Sequence, residues 1–130
     1  MTLTASATWL SRYELTANAA IPASVGKKLT DVPGRMFSAG AEFRQGDWCG
    51  SLAARHVGHI FGSGDDTNLN IVEGVYGSYD ARTVVSAKLS YRISAEVNAG
   101  ISVDNLANRQ YFDFYKQPGM TALAELTFRF

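Results

Sequence analysis

The chain has 130 residues, room for one ordinary domain, and its 12 Lys+Arg balance 12 Asp+Glu. There is no basic excess to neutralise a phosphate backbone, so no nucleic-acid partner is expected. Cys49 is the one cysteine, which excludes an internal disulfide or a cysteine metal cluster; the stretch from Met1 to Tyr13 does not read as a secretory signal, and no apolar run reaches the ~18 residues of a membrane-spanning helix.

Period-two alternation predicts about six strands. The first runs from Leu3 to Tyr13 and sets Leu3, Ala5, Ala7 and Trp9 against Thr4, Ser6 and Thr8. A long connection from Glu14 to Gly34 follows, in which Gly26, Lys27 and Lys28 lack the flanking residues of a phosphate-binding loop. The second strand, Met36 to Arg44, places Phe37, Ala39, Ala41 and Phe43 opposite Ser38, Gly40, Glu42 and Arg44. A tight turn at Gln45, Gly46 and Asp47 leads to the third, Trp48 to Gly58, where Gly50, Leu52, Ala54 and His56 share a face and Ser51, Ala53 and Arg55 the other. The connection from Gly62 to Arg82 is again long. The fourth strand, Thr83 to Ile93, sets Val85, Ala87, Leu89, Tyr91 and Ile93 against Ser86, Lys88, Ser90 and Arg92. A short turn at Ser94, Ala95 and Glu96 joins it to the fifth, Val97 to Asn105. A third long connection, Leu106 to Gly119, precedes the last strand, Met120 to Phe130, in which Ala122, Ala124, Leu126, Phe128 and Phe130 oppose Thr121, Leu123, Glu125, Thr127 and Arg129.

Two regularities emerge. Tight turns alternate with long, Gly-, Asn- and Asp-rich connections, the layout of an outer-membrane barrel with short periplasmic turns and long external loops. The charges also keep to one parity, as a lipid-facing sheet requires, because a Lys or Arg at mid-depth costs about 2–4 kcal/mol. A soluble sandwich, with the apolar face as its core, explains alternation equally well. Two details favour lipid: the apolar face is small in mid-strand, at Ala39, Ala41, Ala54, Ala87, Ala99 and Ala124, and aromatic near the ends, at Phe37, Phe43, Trp48, Tyr91, Phe128 and Phe130. A protein interior must be filled to crystal-like density, whereas acyl chains fill any shape.

Three stretches, VPGRMFSAGAEFRQGDWCGSLAARHVG from Val32, GVYGSYDARTVVSAKLSYRIS from Gly74 and ISVDNLANRQYFDFYKQPGMTALAELTFRF from Ile101, resemble the TonB-dependent receptors, importers of iron-siderophore complexes and other scarce nutrients. The closing stretch carries most of the likeness: an Asp104-Asn105-Leu106 strand exit, an aromatic loop, Pro118-Gly119 and a final Phe130. Met120 departs from the pattern, standing where family members commonly have Arg. The resemblance implies an all-β fold, an antiparallel up-and-down meander of about six long strands that forms an open fragment of a large transmembrane β-barrel. Residues 1–130 would be the C-terminal portion of that barrel, with the plug domain and N-terminal strands lying outside this chain.

It also implies partners: outer-membrane lipid, the barrel-assembly machinery, the rest of the barrel and plug, TonB through the region outside this chain, and ferric siderophore as ligand of the intact receptor. Leu126, Phe128 and Phe130 would form the barrel-assembly signal, and Glu42, Arg44, Arg55, Lys88, Arg92, Glu125 and Arg129 would face the lumen. Tyr111, Phe114 and Tyr115 in the last long loop are candidate ligand contacts, weighed against an aromatic belt at the membrane exit. No cofactor, metal site or catalytic residue is expected. His56 and His59, three apart, fall on opposite faces of a strand, and Asp65, Asp66 and Asn68 do not fit a calcium loop. The expected function is that of barrel wall in a TonB-dependent receptor of the bacterial outer membrane. A soluble β-sandwich binding module and a small outer-membrane barrel enzyme are the alternatives.

Overall fold

The computed structural model describes residues 1–62 and 71–130. Residues with alternating small apolar and polar side chains adopt extended backbone, because each face then meets one kind of environment. The long strands are β1 (Thr2–Trp9), β2 (Arg35–Gln45), β3 (Trp48–Val57), β4 (Arg82–Arg92), β5 (Val97–Asp104) and, after the short β6 (Phe112–Asp113) and β7 (Tyr115–Lys116), β8 (Thr121–Phe128). They form one antiparallel sheet in the order β1-β2-β3-β4-β5-β8. The sheet is an open meander; β1 and β8 are its edges. The expected fold is thus found, and no helix of the described residues is long and apolar enough to cross a membrane.

Directly opposed residues of antiparallel strands share a face, so the register shows which side chains stand together. One rank crosses the whole sheet as Leu3, Ala41, Leu52, Ala87, Val103 and Ala122. The neighbouring rank on the opposite face reads Thr2, Glu42, Ser51, Lys88, Ser102 and Leu123. Neither face is covered. Leu52 in mid-sheet is 51% exposed, and among the described residues the buried hydrophobic side chains are Val57 and Phe61, both at the long-loop end. A dry sandwich core is not what the alanine-rich face forms.

Turn chemistry explains the short hairpins. Gly46 takes φ +58 at the first of two residues between β2 and β3, as two-residue hairpins matched to strand twist require. Between β4 and β5, the Ser94 hydroxyl accepts the N–H groups of Glu96 and Val97 (3.2 and 3.1 Å), which closes the turn without a glycine.

Several boundaries differ from those expected. The first strand stops at Trp9, not Tyr13, because the backbone beyond it pairs within its own excursion: Leu15 N–H donates to Lys27 and Leu29 N–H to Tyr13 (2.8 and 2.7 Å). β2 gains Arg35 at one end and Gln45 at the other. β5 ends at Asp104, since Asn105 turns out of the sheet with φ +52, and β8 covers Thr121–Phe128 with Arg129 N–H still donating to Glu96 (2.8 Å). Among the described residues, the long connections contain a 3-10 turn at Pro22–Ser24 and the small hairpin β6–β7.

Gly50 occupies the mid-sheet space taken by the Phe43 ring: a methyl there would lie 2.1 Å from a Phe43 carbon, whereas one at Gly100 would meet nothing closer than 3.6 Å. Gly50→Ala should therefore destabilise the sheet by about 1–3 kcal/mol through overpacking, and Gly100→Ala should be tolerated. Urea midpoints of the two variants check this.

Candidate functional site

At the long-loop end, polar side chains tie the connections to the sheet. Asp80, 5% exposed, precedes β4 and accepts three side-chain hydrogen bonds: from Gly74 N–H (2.9 Å) and the neighbouring Ser78 hydroxyl (2.7 Å) at Oδ1, and from Phe112 N–H (2.8 Å) at Oδ2. One carboxylate thus joins the second and third long connections. Burial pushes the Asp80 carboxyl up, but the Ser78, Gly74 and Phe112 donors, together with nearby His59, outweigh it and hold the carboxyl below its ordinary value of 3.8. Next to it, Arg82 pairs with Asp113 (2.8 Å) and lies over the Tyr111 ring at 5.4 Å.

Asn105 performs the equivalent task for the third connection. It is 2% exposed and takes the left-handed conformation that Asn tolerates better than other side-chain-bearing residues. Its amide donates to the carbonyls of Arg109 (2.9 Å) and Pro118 (3.3 Å) and accepts from Arg109 N–H (3.0 Å). Asn108 adds a bond from Met120 N–H (2.9 Å), so both ends of the excursion are pinned where β8 begins.

The structure brings Phe114 and Tyr115 together (ring centroids 5.0 Å) at the tip of β6–β7, where Tyr76 joins both at 5.3 and 5.6 Å. Tyr76 and Tyr115 remain 67% and 62% exposed. Phe114 holds φ +63, a costly conformation for an aromatic residue, and is fixed there by Gly77 N–H donating to its carbonyl (2.8 Å) and its own N–H donating to Ser78 (2.9 Å). Tyr111 stands apart from this group, beside Arg82.

The charged candidates share the face opposite the alanines. Glu42 lies in the rank of Ser51 and Lys88, and Lys88 pairs with Glu125 (3.7 Å). Arg44 donates to the Cys49 sulfur (3.2 Å), Arg92 pairs with Asp47 (3.0 Å), and Arg55 stands opposite Ser38 and Val84. These are exposed contacts of small energetic value, each worth about 0–1 kcal/mol. Arg129 follows β8 directly. Leu126 and Phe128 lie on the apolar face of β8, opposite Ala99 and Val97, and Phe130 extends fully exposed beyond it. His56 belongs to the apolar face, stacked on Phe37 and bonded to the Thr83 hydroxyl (2.9 Å), while His59 lies beyond β3 with Glu73 at 3.5 Å. Asp65, Asp66 and Asn68 fall outside the described residues.

Sequence reasoning missed Asp80, Tyr76, Arg82 and Arg35. No local pattern singles out Asp80, because its partners come from two separate connections. Arg35 could have been found by extending the parity of Phe37 one step back past Met36: it stands opposite Trp9 and is the one charged side chain on the apolar face of the described long strands.

Long antiparallel strands in a meander, with one uncovered apolar face, one charged face and loops on one end, have the build of an outer-membrane barrel wall. Residues 1–106 match the family described as TonB dependent receptor-like, beta-barrel, and the chain belongs to that family. It is a family of outer-membrane transporters and not of enzymes. No curated protein and no solved structure matches the chain.

Because the folded-state value of Asp80 is depressed, the stability it lends the loops is complete above 3.8 and is lost as pH falls through the folded value. Asp80→Asn removes the charge and places an NH₂ among donors, leaving an N–H unmet at a cost of about 1–3 kcal/mol. Hydrogen-exchange protection of the Gly74 and Phe112 amides should fall by about tenfold or more, with the Ala54 amide in the sheet unaffected.

Proposed function

We propose that this chain is barrel wall and external loop of an outer-membrane TonB-dependent receptor that imports ferric siderophore or a similarly scarce nutrient. The observation that carries the reading is the uncovered, alanine-rich face bounded by rings, Phe43, Trp48, Tyr91 and Phe128 toward the tight turns and Trp9 and Phe37 toward the long loops. Such a face is costly in water and at ease against acyl chains, with aromatic residues at both headgroup levels.

On this reading residues 1–130 are the C-terminal portion of a larger barrel. The edges β1 and β8 pair with further strands, since unpaired N–H and C=O groups in hydrocarbon cost several kcal/mol each. Glu42, Arg44, Arg55, Lys88, Arg92, Glu125 and Arg129 form a hydrated lumen wall against which a plug rests. Leu126, Phe128 and Phe130 present the alternating apolar, terminally aromatic pattern that the assembly machinery reads. Tyr115 and Phe114, joined by Tyr76, offer incoming ligand an exposed aromatic tip, with Tyr111 deeper beside Arg82. TonB acts through the plug, outside this chain.

Ala54→Lys puts a charge at mid-depth on the apolar face, at about 2–4 kcal/mol, and Ala53→Lys puts it on the polar face at little cost. In the producing cell, urea-resistant outer-membrane protein should fall for the first variant and persist for the second; equal recovery of both would contradict the lipid-facing assignment. Cells lacking the gene should lose energy-dependent uptake of one labelled ferric siderophore. Unchanged uptake of every iron complex would remove iron as the cargo.

A further inference from the structure

Among the described long strands, the apolar face carries a cation at one end only. Arg35 stands opposite Trp9, one rank beyond Phe37, and its side chain crosses the end of β3 over Gly58, where a methyl would lie 2.8 Å from Arg35 Cγ. Gly58 is therefore the space that lets the guanidinium reach along the rim. Among the described residues, no hydrogen bond or ion pair holds that guanidinium, although Arg82 and Arg92 each have a carboxylate.

Trp9 is 68% exposed beside it. Both border a cleft of about 320 Å³ that Tyr13, Lys28 and His59 also line, with Glu14 as its carboxylate. Lys28 lies over the Tyr13 ring at 5.5 Å. Among the described residues, Arg35, Lys28, Trp9 and Tyr13 thus come together where the apolar face ends.

From this we infer that Arg35, with Trp9, binds the anionic phosphate headgroup of a lipid in the leaflet on the long-loop side. The inference rests on the lipid-facing reading above. At that level a guanidinium escapes most of the penalty it would carry at mid-depth. Its planar fork matches phosphate oxygens bidentately, and an indole at the same height sits where tryptophan anchors a sheet to the headgroup layer. A phosphate there gives the Arg35 guanidinium an anionic partner and leaves the acyl chains to run down the alanine face.

The test uses the full chain taken from the membrane of the producing cell into polymer nanodiscs and equilibrated with phosphatidylcholine vesicles containing phosphatidylglycerol. Mass spectrometry of retained lipid should show phosphatidylglycerol enriched around the wild-type chain. Arg35→Gln should lower the enrichment about tenfold, Arg35→Lys should restore part of it, and Arg92→Gln on the opposite face should leave it unchanged. In a Trp48→Phe background, brominated acyl chains should quench Trp9 in every variant. Quenching without enrichment, or enrichment indifferent to Arg35→Gln, overturns the headgroup site and leaves the lipid-facing reading standing. Absence of quenching overturns both.

Discussion

The backbone ladder sets the terms for everything else in this chain. Five antiparallel pairings run without a break from β1 to β8, and each fixes which side chains of adjacent strands stand together. A slip of one residue would carry Glu42, Lys88 and Arg92 to the alanine side and the alanines to the charged side. The register is thus the source of a sheet whose faces differ so sharply, and side-chain burial adds little to it. With few buried apolar groups among the described residues, the sheet draws its order from hydrogen bonds, tight turns and the surroundings of its faces.

Cohesion at the two ends is achieved differently. At the tight-turn end, Gly46 and Ser94 close hairpins locally, and the exposed pair Arg92–Asp47 adds little. At the long-loop end, buried polar hubs bear the load. Asp80 gathers donors from two connections, and Asn105 folds the last one back onto the start of β8. Fully satisfied polar groups of this kind specify one arrangement, since removing any partner leaves a buried donor or acceptor unmet. They hold the aromatic tip of Tyr76, Phe114 and Tyr115 away from the strands while leaving it open to solvent. Arg35 and Trp9 mark where apolar face gives way to loops.

Much of the sheet was legible in the sequence because strand parity is a local signal. Ala39, Ala41, Phe43, Val85, Ala87 and Leu89 alternate so regularly with polar residues that face and order follow by counting. The ends were less legible. Leu10 to Tyr13 continue a plausible strand pattern, yet their backbone finds partners in residues 27–34, which no nearby residue announces. The same holds for the hubs: Asp80 looks like any acidic loop residue until Gly74 and Phe112 are brought to it, and Phe114 gives no hint of a left-handed conformation. Asn105 was closer to readable, because an Asn at a strand exit is suited to positive φ. For the charged candidates a shared face could be read from parity but not the pairs, as Lys88 meets Glu125 through the β4–β5–β8 register.

The central claim is that one face of this sheet contacts acyl chains and the other water. Nitroxide labels placed one at a time from Ser51 to Arg55 on β3, in a Cys49→Ser chain within its native membrane, test it directly through collision with dissolved oxygen and with a water-soluble nickel complex. The account predicts a period-two pattern, with oxygen favoured at Leu52 and Ala54 and nickel at Ser51, Ala53 and Arg55. Equal nickel access at all five positions, or exclusion of both reagents from the alanine side, would contradict it.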